Sequence, residues 1–193
     1  RNTSKEISFL KQYAAAHKIA QLTIITFNQR IQDTAVFYTG GNFNSRWPEY
    51  IQAFKYEGAT QFGALDFSRV NADAILVFSD GKNSYGKSLP APGKIHTYCI
   101  NSAVYADSAQ VERIIGKSGG RFIDLYNKET GEAVAAAGKA ENILLGLKAG
   151  DVTLDLNEKI SNIKKDTLLL SGLIPAGSQQ ISLLYGNNGN VQA

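Results

Sequence analysis

The octapeptide GKNSYGKS, residues 81–88, matches the pattern G-x-x-x-x-G-K-[ST] of phosphate-binding loops. In such loops the backbone amides wrap the phosphates, the lysine reaches the outer phosphates and the hydroxyl holds a magnesium ion. Gly81, Lys87 and Ser88 would take these roles here. The chemistry also requires a helix that begins at the lysine, because the helix N-terminus supplies aligned amides and positive potential.

The residues after the motif argue against that helix. Pro90 and Pro92 lack backbone donors, and Gly93 follows at once. Each proline in a helix interior costs about 3 kcal/mol. We therefore interpret GKNSYGKS as a solvated loop, and a nucleotide hydrolase that uses Gly81, Lys87 and Ser88 is kept as an alternative function.

The strand that precedes this motif offers a different chemistry. The apolar run AILVF leads into Ser79 and Asp80, which places the Asp80 carboxylate at the carboxyl edge of an open α/β sheet, where ligands generally bind. About twenty residues upstream, EGATQFG carries Thr60 on a glycine loop, so a hydroxyl and a carboxylate could converge at this edge. Hard oxygen ligands of this kind suit Mg²⁺ or another divalent cation.

Composition narrows the classes of protein to which the chain can belong. Its 193 residues are 44% hydrophobic and 19% charged, which predicts a soluble globular protein with a full core. The net charge of +3 and the lack of a basic cluster predict no nucleic-acid partner. No apolar run approaches the roughly 20 residues of a membrane span. Cys99 is the single cysteine, so an intrachain disulfide is excluded, and its apolar surroundings predict a buried thiol.

Periodicity predicts the elements that must position these residues. A helix is expected from Ser4, the predicted N-cap, followed by two antiparallel strands, QLTIITF and TAVFY, and a short helix in SRWPEYIQAFKY. A glycine loop then leads into a second short helix within EGATQFGALDFSRV. Beyond it, AILVF, KIHTYCI and RFIDL are predicted strands, and Asp107 begins a helix that ends at a glycine.

This alternation predicts an open, mostly parallel, Rossmann-like α/β sheet with helices on both faces, over residues 1–127. Residues 128–150 are predicted to form a terminal helix and linker. From residue 151 the pattern is typical of β structure, with strands in DVTLDLN, DTLLLSGLI and QQISLLYG. Residues 151–193 are therefore expected to form a small β-rich segment.

Four segments in this order resemble the von Willebrand factor type A (vWA) domains found beside the VIT domain of inter-alpha-trypsin inhibitor heavy chain-like proteins. They are LTIITFN, EGATQFGALDF, ADAILVFSDG and IHTYCINSAVYADSAQVERIIGKSGGRFIDL. The resemblance covers residues 1–127. It implies a vWA-type fold and a metal-ion-dependent adhesion site built from an Asp-x-Ser-x-Ser turn, a threonine and a distant aspartate.

The resemblance maps the threonine of that site onto Thr60 and the aspartate onto Asp80. The Asp-x-Ser-x-Ser element is not in this sequence, where only Arg1, Asn2 and Thr3 precede the first predicted helix. The resemblance therefore implies a partial metal site, with Mg²⁺ bound in an intact parent protein and weakly or not at all by this chain. It also implies that a central strand between LTIITF and AILVF is missing.

We predict self-association into a homo-oligomer through the two strand edges that this leaves exposed. The resemblance implies a non-enzymatic protein-protein interaction or adhesion module with a protein partner. It also implies a location outside the cytoplasm, in the periplasm or at the cell surface. A purely structural domain with a vestigial metal site is a third hypothesis, beside the nucleotide hydrolase.

Overall fold

The structure is a computed structural model that describes residues 1–38, 46–55, 58–87, 89–116, 118–139, 143–149, 152–160, 180–187 and 190–192. Ser88 of the phosphate-loop motif and the predicted strand DTLLLSGLI lie outside these residues. The helices are α1 (Thr3–Ala16), α2 (Arg46–Ala53), α3 (Ser108–Ile115) and α4 (Thr130–Ala137). The strands are β1 (Gln21–Phe27), β2 (Ile31–Tyr38), β3 (Ile75–Phe78), β4 (Thr97–Asn101), β5 (Phe122–Asp124), β6 (Ile143–Ala149), β7 (Val152–Ile160), β8 (Ile181–Asn187) and β9 (Asn190–Gln192).

The strands form three sheets. β1 and β2 make an antiparallel hairpin, and β3, β4 and β5 make a parallel sheet in that order. The third sheet is antiparallel, with the order β7-β6-β8-β9. The chain is thus a mixed α/β protein with a three-stranded parallel sheet and helices, as predicted at this coarse level.

Helix boundaries follow the local capping chemistry. The Asp107 carboxylate accepts a hydrogen bond from the Gln110 amide at 3.0 Å, which confirms the predicted start of α3. The predicted N-cap Ser4 is wrong, because Asn2 takes this role and its Oδ1 accepts from the Lys5 amide at 3.0 Å. Asparagine and serine cap equally well, so residue type alone does not distinguish the two positions.

Two predicted helical segments take other conformations. The stretch after Thr60 forms two 3₁₀ turns, Phe62–Ala64 and Phe67–Arg69, instead of a short helix. The amides of Gly63 and Phe67 donate to the carbonyls of Lys87 and Ala91, which diverts them from helical bonding. Within residues 128–150, predicted as a terminal helix and linker, α4 is followed by the strand β6, which pairs with both β7 and β8, so β structure already includes residues 143–149.

The core consists of two apolar clusters on opposite faces of β4, whose five residues are all buried. Tyr98 and Ile100 belong to the cluster that contains side chains of α1, α2 and α4. Cys99 points to the other cluster, with side chains of α3, and is fully buried as predicted. Period-two alternation therefore makes β4 the strand that is covered on both sides.

The hairpin shares these two clusters without joining the parallel sheet. Leu22 of β1 and Leu76 of β3 pack against the first cluster, and Phe27 and Ile75 pack against the second. Among the described strands, β1 pairs only with β2, and β3 pairs only with β4. The expected gap for a missing central strand between β1 and β3 stays a prediction.

Burial raises the pKa of the Tyr98 phenol above its ordinary value of 10.0, and burial together with the nearby Tyr98 does the same for Tyr13. A raised pKa in the folded state favours folding while the phenol is neutral, so this stability is lost as the pH rises above about 10. We expect the free energy of unfolding to fall in this range, as measured by urea titration at stepped pH. Tyr98→Phe should flatten the dependence, and an unchanged slope in that variant would contradict the assignment.

Candidate functional site

The carboxyl ends of the three parallel strands lie at one edge of the sheet, and backbone hydrogen bonds join the loops that leave them. The Asp107 amide, after β4, donates to the carbonyl of Asp80, after β3, at 2.7 Å. The Tyr126 amide, after β5, donates to the Asn101 carbonyl at the end of β4 at 3.0 Å. The carboxyl edge is therefore a continuous surface held by the sheet beneath it.

Asp80 follows β3 directly, and its half-buried carboxylate already has a neighbour of opposite charge. Its Oδ1 accepts from the Lys82 amide at 3.1 Å, and its Oδ2 lies 3.8 Å from the Lys82 ammonium. The Gly81 amide donates to the Ser79 hydroxyl at 3.1 Å, which completes a tight turn. The turn thus holds the Asp80 carboxylate at the strand end and offsets its charge.

Thr60 lies beside the loop that Asp80 begins. The Thr60 carbonyl accepts from the amides of Ser84 and Tyr85 at 3.0 and 3.1 Å, and its own amide donates to the Ser84 hydroxyl at 2.8 Å. The Phe62 amide donates to the Asn83 side chain at 3.0 Å. The two loops that carry the predicted site residues are therefore brought together, whereas a shared ligand for Thr60 and Asp80 stays a prediction.

The same hydrogen bonds bear on the phosphate-loop motif. The amides of Ser84 and Tyr85 point to Thr60, so they are not available to wrap a phosphate. In the described chain after Lys87, the next helix is α3, which begins only at Ser108. The helix N-terminus that phosphate binding requires is thus not formed at the motif.

The described residues do not fit a dedicated magnesium site. Mg²⁺ is bound by carboxylates together with further oxygen ligands in near-octahedral geometry. At this edge the Asp80 carboxylate lies beside the Lys82 ammonium, the Asp107 carboxylate caps α3, and the Asp124 carboxylate accepts from the Asn127 side chain at 2.7 Å. Within the described ranges, no group of three or more His, Cys, Asp or Glu residues is placed to hold a metal ion.

A buried ionic contact that sequence reasoning missed fastens α1 to this edge. The Glu6 carboxylate is only 2% exposed, and both of its oxygens accept from Arg1 Nε at 2.9 Å. The Ser102 hydroxyl, just after β4, donates to Glu6 and accepts from the Asn2 amide at 2.9 Å. The sequence did contain a signal for this burial. Glu6 lies four residues before Leu10, so both residues are on the apolar face of the helix.

Exposed large apolar side chains of the described chain fall in three places. One group lies on the hairpin, a second is the pair Ile181 and Leu183 of β8, and a third lies on the loops from the parallel sheet. Within the third group, Tyr85 follows β3, Val104 and Tyr105 follow β4, and Tyr126 follows β5. We call these four residues the carboxyl-edge rim.

The chain matches no protein-family model, no curated protein and no solved structure. Among its described helices, none has the length and apolar character that crossing a membrane requires. Its function must therefore be argued from the geometry of its own surface.

Gly81 is predicted to be the residue of the edge that tolerates substitution least. Its φ of +81° disfavours any side chain, and an added Cβ would lie 2.6 Å from Val111 and 2.7 Å from the Asp107 carbonyl oxygen. Gly58 has a similar φ of +88°, but its Cβ would meet only Asn28, at 3.6 Å. Both alanine variants carry a conformational cost of about 1–3 kcal/mol, and overpacking adds about 1–3 kcal/mol at Gly81 alone.

Urea unfolding of Gly81→Ala and Gly58→Ala measures this difference. We expect the Gly81 variant to lose more stability, because its new methyl group pushes the β3 turn away from α3. Equal losses in the two variants would show that the turn can move and that the carboxyl edge is not rigid at this point.

Proposed function

We propose that the α/β unit is a non-enzymatic protein-interaction module of the vWA class and that the carboxyl edge is its contact surface. The observation that carries the proposal is the carboxyl-edge rim, whose four exposed side chains lie on the loops that follow β3, β4 and β5. Binding residues are often found on loops that a rigid scaffold holds in place.

The rim has the composition of a protein-binding surface. Tyr105 is 75% exposed and Val104 is 59% exposed, so both leave apolar surface in contact with water. Tyrosine is enriched where proteins meet, because its ring adds a large contact area at a low entropic cost and its hydroxyl keeps a polar contact. Exposed apolar residues on the loops of one sheet edge are more informative than single exposed residues scattered over a surface.

The electrostatics of the Asp80 turn favour a partner without a high net charge. The Asp80 carboxylate is accompanied by Lys82, so the turn has little net charge. A partner segment with an apolar or aromatic anchor and neighbouring polar groups would fit such a surface. The chain supplies the scaffold and the rim, and the partner supplies the segment that covers them.

Thr60 and Asp80 enter this proposal as the remaining part of a vWA-type metal site. In a vWA-type site with its full set of ligands, a bound Mg²⁺ would supply Lewis-acid contact to an acidic side chain of the partner. In this chain Asp80 is paired with Lys82, which favours a contact that depends on the rim.

The resemblance further suggests a location outside the cytoplasm. The purely structural hypothesis differs in that it predicts no binding at the rim.

Selection from a random peptide library displayed on phage tests the rim directly. We expect enriched peptides with aromatic or apolar anchors that lose binding to Tyr105→Ser, because the substitution removes the most exposed ring. Ile181→Ser removes an exposed apolar side chain of β8 and serves as the control that keeps binding. Peptides that bind both variants equally, or no enrichment at all, would contradict the proposal.

Calorimetry with ATP and Mg²⁺ tests the alternative of a nucleotide hydrolase. We expect no heat of binding, since the Ser84 and Tyr85 amides are bonded to Thr60. Titration with Mg²⁺ alone is the control, and it too should give no heat, because the Asp80 carboxylate lies beside Lys82. ATP binding that Lys87→Ala abolishes would establish the nucleotide function and overturn the interaction module.

A further inference from the structure

Unpaired strand edges differ sharply in how well they resist pairing with another chain. β5 and β9 have only three residues each, and β7 carries Asp155, Glu158 and Lys159. Short and charged edges are poor templates for a further strand. Both β1 and β3 contribute side chains to the two core clusters, so a strand added beside either of them would also have to fit against the core. Among the described strands two edges remain: that of β2, and that of residues 181–184 of β8, a short stretch that β9 leaves uncovered.

β2 has none of the usual protection. It is eight residues long, it contains no proline or lysine, and Asp33 is its single charge. The Asp33 carboxylate is already engaged, since it accepts from the Thr34 amide at 2.8 Å and from the Tyr50 hydroxyl at 2.7 Å. From Thr34 to Tyr38 the strand is uncharged. A long and uncharged edge of this kind is a template for β pairing.

One face of the hairpin beside this edge is also uncharged and exposed. Leu22 and Phe37 are cross-strand partners and pack against the core, so the alternate residues face away from it. These outward positions include Ile25, which is 40% exposed, and Val36, which is 46% exposed. The hairpin therefore presents a free edge and an uncharged face on the same side of the molecule.

We infer that β2 pairs with β2 of a second copy of this chain, antiparallel about a two-fold axis at Val36. Two identical strands are complementary in this arrangement, so Val36 faces Val36 and each Thr34 faces Tyr38. This register pairs the uncharged run with itself and keeps the two Asp33 carboxylates from facing one another. The two hairpins then form a four-stranded sheet, which is more stable than either two-stranded hairpin alone.

The inferred dimer uses a surface other than the carboxyl-edge rim. An experiment that contradicts the dimer therefore leaves the proposed function untouched, and the reverse also holds. It also places the self-association predicted from the sequence on the outer strand of the hairpin. The edges of β1 and β3, which that prediction invoked, are not its interface.

Sedimentation velocity over a wide range of protein concentration tests the inference. We expect a monomer-dimer equilibrium in the wild type and a monomer in Val36→Lys, because this variant sets two like charges against each other at the axis. Val104→Lys makes the same change at a similarly exposed position of the rim and should leave the dimer intact. Circular dichroism and thermal unfolding establish that both variants are folded.

Cross-linking gives a second, independent measurement. With oxidised glutathione as the oxidant, Val36→Cys should form a covalent dimer across the axis, since residues directly opposite in antiparallel strands have close Cβ atoms. Val104→Cys is the control, and Cys99 does not compete because it is fully buried. A wild type that is monomeric at every concentration, or a dimer that persists in Val36→Lys, would overturn the inference.

Discussion

The burial of β4 on both faces is the constraint on which the rest of the α/β unit depends. Tyr98 and Ile100 require an apolar layer on one side, and Cys99 requires one on the other. Helices must cover both sides, and the flanking strands must be parallel because each connection returns the chain to the same end. The position of every loop at the carboxyl edge follows from this single strand.

Close contacts around β4 leave little space between its backbone and the chain segments beside it. An added Cβ at Gly120 would collide with the Thr97 carbonyl oxygen, so the chain entering β5 passes directly against the backbone of β4. Thr97 and Gly120 also share the Ser118 hydroxyl, which accepts from both of their amides. At the opposite end, Ser102 and Glu6 fix α1. The sheet is thereby anchored at both ends of its central strand.

At the carboxyl edge, most polar groups that could perform chemistry are already bonded to one another. The loop amides donate to neighbouring carbonyls, Asp80 faces Lys82, and Asp107 caps α3. What the edge still offers to another molecule is mainly the surface of its aromatic and aliphatic side chains. The recognition role proposed above rests on this distribution.

Sequence patterns were sufficient for elements whose signal is local. The capped helix α3, the apolar strand β4 and the hairpin were predicted because caps, continuous apolar runs and turn residues act over a few positions. The 3₁₀ turns were missed, since the hydrogen bonds from Gly63 to Lys87 and from Phe67 to Ala91 link distant parts of the chain. The leucine-rich run of β6 was misassigned, because a short apolar run has no period that separates helix from strand.

For the candidate site, the loops of Thr60 and Asp80 were expected to meet, and the structure joins them through Ser84. The interaction of Lys82 with Asp80 is a local turn that was overlooked, whereas the exposed rim depends on how the loops fold back. Glu6 was overlooked because a charged residue in a helix is usually solvated.

The separation of the hairpin from the parallel sheet has a consequence for the dynamics of the molecule. β1 and β2 are tied to the core by side-chain packing, with no ladder to β3. Regions of this kind open in sub-global fluctuations at a lower free energy than the central strands do. The hairpin is thus a cooperative unit of its own, and its amides should exchange with solvent while those of β4 are still protected.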